Sequence, residues 1–139
     1  MKKLLKGILL SLMACFMLLL SLGFFEYRSV IKAMPIEDKV ASIMNKADYV
    51  PLDEISDYLK VATISTEDKR FYKHQGVDFI AYGRIFYVLL TSGQISGGGS
   101  TITQQLAKNM YFSFQPSLIR KAAEFFVTKD LERLYSKDT

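Results

Sequence analysis

Gly98-Gly99-Ser100-Thr101-Ile102-Thr103-Gln104-Gln105-Leu106-Ala107-Lys108-Asn109 sets a glycine-rich approach against an abrupt helix start. The glycines close the run Thr91-Ser92-Gly93-Gln94-Ile95-Ser96-Gly97-Gly98-Gly99, which reads as a flexible loop and a candidate moving flap. Thr101 followed by Gln104 fits a capping box, in which hydroxyl and amide each satisfy the other residue's backbone N–H. A glycine loop feeding a helix start offers N–H groups and a positive dipole end to an anion. An ordinary linker leading into a capped helix is the other reading of the same residues. No Gly-Lys-Ser/Thr follows, so this is not a Walker loop. Gln105 and Lys108 stand at i, i+3 and share a face, presenting an amide and a cation suited to a sugar phosphate.

Upstream lies Glu67-Asp68-Lys69-Arg70-Phe71-Tyr72-Lys73-His74-Gln75-Gly76, which holds the chain's only histidine. Pro51 opens the segment before it. Ile55, Leu59, Ala62 and Thr63 keep helical spacing, Asp53 and Glu54 form an acidic first turn, and the helix is expected to run to about Thr66. Glu67 then falls at a negative helix end. There, partly desolvated by Phe71 or Tyr72, it is the candidate general base. The competing reading is a solvated Glu-Asp pair neutralised by Lys69 and Arg70. His74 reads as a hydrogen-bond partner that fixes a turn, and a single His outside a carboxylate cluster argues against zinc.

Downstream, Asp78 caps a helix through Ile80, Ala81, Ile85, Phe86, Leu89 and Leu90. Its broad apolar face is expected to be buried or to lie on a membrane interface. Pro116 and Ser117 start a last helix with the stripe Ile119, Ala122, Ala123, Phe126, Val127, Leu131 and Leu134. Arg120 and Glu124 are i, i+4. They are either a surface ion pair worth about 0.3–0.5 kcal/mol or, with Lys121, a diphosphate-binding set with a second active-site carboxylate.

The N-terminus is of another kind. Lys2, Lys3 and Lys6 precede an uncharged run from Gly7 to Phe25, close to the ~20 residues that cross a bilayer. The flanking cations place residues 1–6 in the cytoplasm and the remainder outside. No small-x-small cleavage site ends the run, so residues 7–25 read as an uncleaved anchor. The single cysteine, Cys15, lies inside it, which excludes an intrachain disulfide. Residues 26–50 turn polar, with Pro35 ahead of a short stripe of Ile36, Val40, Ile43 and Met44, and read as a stalk. The net charge of +4 is spread out, which argues against nucleic acid and suits an anionic membrane surface.

Three patterns in order, Glu67-Asp68-x-x-Phe71-x-x-His74-x-Gly76, Gly98 to Asn109, and Arg120-Lys121-x-x-Glu124, give the chain its resemblance to the peptidoglycan glycosyltransferase domain of glycosyltransferase family 51. That domain occurs in bifunctional penicillin-binding proteins and in monofunctional transglycosylases. The resemblance covers about residue 51 to the end. It implies a mainly helical, lysozyme-like fold behind a single transmembrane helix, with a membrane-dipping lobe, on the outer face of a bacterial cell membrane. It implies Glu67 as the base that deprotonates the acceptor 4-hydroxyl of lipid II. That oxygen attacks C1 of a donor held through diphosphate to a polyprenyl carrier, with inversion.

Lys108, Arg120 and Lys121 would take up the leaving diphosphate, and Glu124 matches the second essential carboxylate. Asp68, Phe71, His74, Thr101 and Gln105 match positions that shape the cleft and meet substrate. No cofactor is required, and a divalent metal (Mg or Mn) can share the cations' work. Partners implied are lipid II, the nascent glycan strand, the membrane, and cell-wall synthesis or division proteins.

Two departures stand out. Pro116 lies near a position where the family commonly has a further basic residue. The chain also ends at Thr139, before the family's later blocks, which leaves the domain incomplete at its C-terminus and carries the expectation that this polypeptide alone is weakly active or inactive. A lysozyme-like lytic enzyme and a non-catalytic anchored lipid II- or partner-binding module are the alternatives. Release of muropeptides from cell wall would favour the first, and binding without turnover the second.

Overall fold

A computed structural model describes residues 1–94 and 98–139. Ile95, Ser96 and Gly97, the centre of the expected flap, lie outside the described residues. The described residues form helices and turns without a strand, in agreement with the mainly helical expectation. The helices are α1 (Lys2–Ala33), α2 (Ile36–Met44), α3 (Asp57–Glu67), α4 (Phe79–Ser92), α5 (Ile102–Tyr111) and α6 (Leu118–Leu134).

Helix α6 is the centre of the packing. Ala122, Ala123, Glu124, Val127, Thr128 and Leu131 are its buried residues, a spacing that keeps one helical face against neighbours. Helix α1 makes the most extensive contact with α6, and α5 packs on it as well. Val127 and Leu131 join Ile36, Ala107 and Met110 in the core, which Tyr27, Val30, Ile31, Val40, Ile43 and Tyr111 partly cover.

The expected anchor ends at Phe25 and the expected stalk begins at Glu26, but no helix end falls between them. Helix α1 runs unbroken to Ala33, and its second half is part of the folded unit. At Gly23 the two helices touch: a Cβ there would stand 2.4 Å from Ala122 Cβ, so only hydrogen fits. Phe24 and Tyr27 pack against Phe126 with ring centroids 5.3 and 5.6 Å apart. The Tyr27 hydroxyl donates to Asp130, and Tyr111 donates at 3.0 Å to the Met34 carbonyl where α1 ends. Apolar contacts on one face of the polar-looking stretch, rather than its average composition, decide its place. The apolar part of α1 is long enough to cross a bilayer.

Helix α3 begins later than the acidic-turn reading gave. Leu52–Glu54 form a separate 3-10 turn, and Ser56 caps α3 by accepting from the Leu59 N–H at 3.3 Å. The Ser56 hydroxyl takes one of the orphan amides, that of Leu59, at the helix start that Asp53 and Glu54 were expected to face. In α4, Asp78 is the cap as expected, accepting from Ile80 and Ala81 N–H, and Gly93 ends the helix at φ +68°. No residue of α4 is buried. Phe79, Ile80, Phe86, Tyr87 and Leu90 are exposed, so of the two expectations for this helix burial in the core is the one overturned.

Candidate active site

Glu67 is the last residue of α3, exposed rather than desolvated by Phe71 or Tyr72 as expected. Phe71 turns away from it, meeting the Tyr72 and His74 ring edges while Lys137 Nζ lies 4.2 Å from its centroid. The partner of Glu67 is Gln105, whose Nε2 donates to Oε2 at 2.8 Å. Lys108 follows Gln105 by one helical turn on α5, its ammonium 5.0 Å from the Phe114 ring centroid.

Asp68, next in sequence, points inward. It is 6% exposed, and its oxygens stand 3.0 Å from His74 Nε2. Oδ2 also accepts from the Ile102 N–H at 3.2 Å, at the first turn of α5. The capping box is present in full: the Thr101 hydroxyl accepts from Gln104 N–H, and Gln104 Oε1 accepts from Thr101 N–H. That hydroxyl also donates to the Gly76 carbonyl at 2.5 Å. Side chains of the protein therefore occupy this helix start, and the anion-cradle reading gives way to the capped-helix one. Asp68, His74 and Thr101, expected to meet substrate, hydrogen-bond within the chain through Asp68 Oδ1 and Oδ2, His74 Nε2 and the Thr101 hydroxyl, while His74 Nδ1 is buried without a partner among the described residues. They hold the end of α3 against the start of α5.

The absence of a carboxylate–histidine cluster, expected from sequence, is corrected. Asp68, His74 and Asp78 bring ligand-type atoms within 4.8 Å of one another, because the chain doubles back after the Phe71–Lys73 turn. Donors already meet both carboxylates. Arg70 Nε lies 3.0 Å from Asp78 Oδ2, and backbone amides take Asp78 Oδ1 and Asp68 Oδ2. Burial pushes the Asp78 carboxyl upward. The Ala81 N–H, the Arg70 charge and the Ile80 N–H outweigh that effect and hold it below the usual carboxylate range.

The third cluster sits on α6. Glu124 is 0% exposed, with Arg120 Nε 3.0 Å from Oε1 and Lys121 Nζ 3.0 Å from Oε2. The surface-pair reading of Arg120 and Glu124 fails because α6 turns this face inward between Ala123 and Val127. The cations have second anchors: Arg120 Nη1 donates to the Ser113 and Gln115 carbonyls, and Lys121 Nζ donates to Ser100 Oγ at 2.8 Å. Ser100, Ser113 and Gln115 were not singled out in the sequence, because carbonyl and hydroxyl contacts of this kind leave no pattern.

The structure thus joins Glu67 to Gln105, and Arg120 and Lys121 to Glu124. Lys108 shares α5 with Gln105, and the Ser113–Gln115 segment that holds Arg120 includes the Phe114 ring under Lys108. Glu67 itself makes no ion pair with any of these cations among the described residues. The cavity of about 450 Å³ between α2, α3, α5 and the end of α6 lies elsewhere and takes only Phe71 from the expected site.

Residues 36–139 match the family described as Transglycosylase. Penicillin-binding protein 2a of Streptococcus pneumoniae serotype 2 is 49% identical over 104 residues, covering 73% of this chain and 14% of that protein. A monofunctional glycosyltransferase of Staphylococcus epidermidis is 40% identical over 115 residues, covering 83% of this chain and 42% of that one. Penicillin-binding protein 1A/1B of Bacillus subtilis is 47% identical over 93 residues, covering 67% and 10%. The chain therefore spans well under half the length of these relatives.

Proposed function

The chain belongs to the transglycosylase family, and on that premise we propose that it is a membrane-anchored peptidoglycan glycosyltransferase that polymerises lipid II into β-1,4-linked glycan. The observation that carries the reading is the Glu67–Gln105 contact, with Lys108 one turn further along the same helix. In this reading the carboxylate and the cation serve one surface, as a proton abstraction coupled to departure of an anion requires.

In this reading Glu67 takes the proton from the acceptor 4-hydroxyl. The freed oxygen forms the new bond to C1 of the donor as the bond from C1 to the diphosphate oxygen breaks, and polyprenyl diphosphate leaves. Lys108 faces the growing charge directly. Arg120 and Lys121 add to it from α6, where buried Glu124 holds both cations in place. Glu124 acts here through those cations. Both of its oxygens already meet Arg120 and Lys121, so these cations, rather than a divalent metal on Glu124, supply the charge in this reading. The exposed apolar residues of α4 rest in the bilayer surface, and the N-terminal lysines stay in the cytoplasm.

The test is single-turnover transfer with labelled lipid II in detergent or vesicles, comparing a full-length protein that carries this chain with its Glu67→Gln variant. The parent should form β-1,4-linked product that the variant does not. Equal product from both would remove Glu67 from the reaction.

A further inference from the structure

We infer that Gly23 is a positioning residue: by admitting α6 against the anchor helix at Ala122, it sets the height of the Arg120–Lys121–Glu124 cluster relative to the bilayer. The inference rests on the proposal that the substrate is a lipid-linked diphosphate. Gly23 lies two residues before Phe25, the end of the uncharged run, and so about 3 Å along the helix from that end. It is the one buried residue of α1. An added Cβ would meet Ala122 Cβ at 2.4 Å, and the Ala122 carbonyl carbon and Ala123 nitrogen at 3.0 Å. Gly7, in the same helix, has nothing within 4 Å. The close approach lies at this level of the anchor, near the end of its uncharged run, which on the anchor reading is the apolar–aqueous boundary.

Ala122 directly follows Lys121 and precedes Glu124 by two residues, so the contact point and the cation cluster share one turn of α6. Phe24 and Tyr27 against Phe126, and the Tyr27 hydroxyl on Asp130, fix the rotation of α1 about that point. The diphosphate of a polyprenyl carrier sits at the same apolar–aqueous boundary. Cations locked at that level meet it without a search through depth, which is the gain from fixed orientation. A side chain at position 23 would force α6 outward or along the anchor.

The test reads depth and turnover separately. Leu118, exposed at the start of α6, is changed to Cys in a Cys15→Ser background and carries a fluorophore. The full chain is placed in vesicles containing lipids brominated at defined depths. Gly23→Leu should move the depth of strongest quenching. Gly23→Ala should move it less, and Ala122→Gly added to Gly23→Ala should bring it back toward the parent. In turnover, Gly23→Leu should lose about 10²-fold with lipid II bearing its full polyprenyl chain and much less with a short-chain, water-dispersed analogue.

An unchanged quenching depth in Gly23→Leu overturns the inference, as does a Gly23→Ala shift that Ala122→Gly leaves in place. Equal losses with both substrates would show general damage instead and also overturn it. If Glu67→Gln keeps full activity, the catalytic reading falls, while the quenching profile still decides the role of Gly23.

Discussion

Gln105 Nε2 donates to Glu67 Oε2 at 2.8 Å, joining the last residue of α3 to α5 across 38 positions of sequence. The bond aims an exposed carboxylate that its own helix would leave free to rotate. Glu67→Gln should lower single-turnover transfer by about 10²–10⁴-fold, the usual worth of a general base. Gln105→Leu keeps the base and loses one hydrogen bond, about 1 kcal/mol or roughly fivefold in rate. Equal losses in the two variants would contradict separate roles as base and orienting group.

Glu124→Gln should destabilise the chain by about 3 kcal/mol, the low end for breaking a buried pair, since Lys121 keeps some solvent. It leaves Arg120, whose side chain is largely buried, facing a neutral amide. Urea unfolding in detergent measures this, and a loss below about 1 kcal/mol would mean that the cluster is more hydrated than its burial shows.

Asp78 gives the chain a defined acid weakness. Its folded pKa lies below the unfolded value of 3.8, so its contribution is complete above that pH and is lost as pH falls through the folded value. Asp78→Asn should cost about 1 kcal/mol at pH 7, by weakening the α4 cap and removing the charge that meets Arg70. The gap between parent and variant should close as pH drops below about 3.8. Thermal unfolding as a function of pH checks the sign, and a gap that widens in acid would refute it.

Gly76→Ala should cost about 2 kcal/mol or more. The residue sits at φ +84°, and an added Cβ would meet Thr128 Cγ2 at 2.6 Å and Glu132 Cγ at 2.9 Å. Gly83 supplies the contrast. It lies inside α4 with nothing within 4 Å, and Gly83→Ala should stabilise by about 0.5–1 kcal/mol through helix propensity. Chemical denaturation of both variants tests the pair, which should move in opposite directions.

Local chemistry was legible where neighbours in sequence are neighbours in space. The capping box of Thr101 and Gln104 and the Asp78 cap came from short-range spacing and are present, and of the expected α6 stripe Ala122, Ala123, Val127 and Leu131 are buried while Leu134 is exposed. The membership of α1's second half in the core was not legible. Residues 26–33 look polar on average, and only the position of α6 shows which face is covered. Glu124 shows the same limit. Its i, i+4 spacing to Arg120 is that of an exposed pair, and nothing in the spacing reports that the face is sealed.

The chain's own residue order determined its helical class, its apolar N-terminal helix and its three motif blocks, because periodicity, caps and runs are properties of neighbouring residues. The tertiary structure alone decided that Asp68, His74 and Thr101 face inward, that Glu124 is buried between two cations, and that Gly23 meets Ala122. Each of these depends on contact between segments far apart in the chain, where burial and close approach are set jointly by both partners.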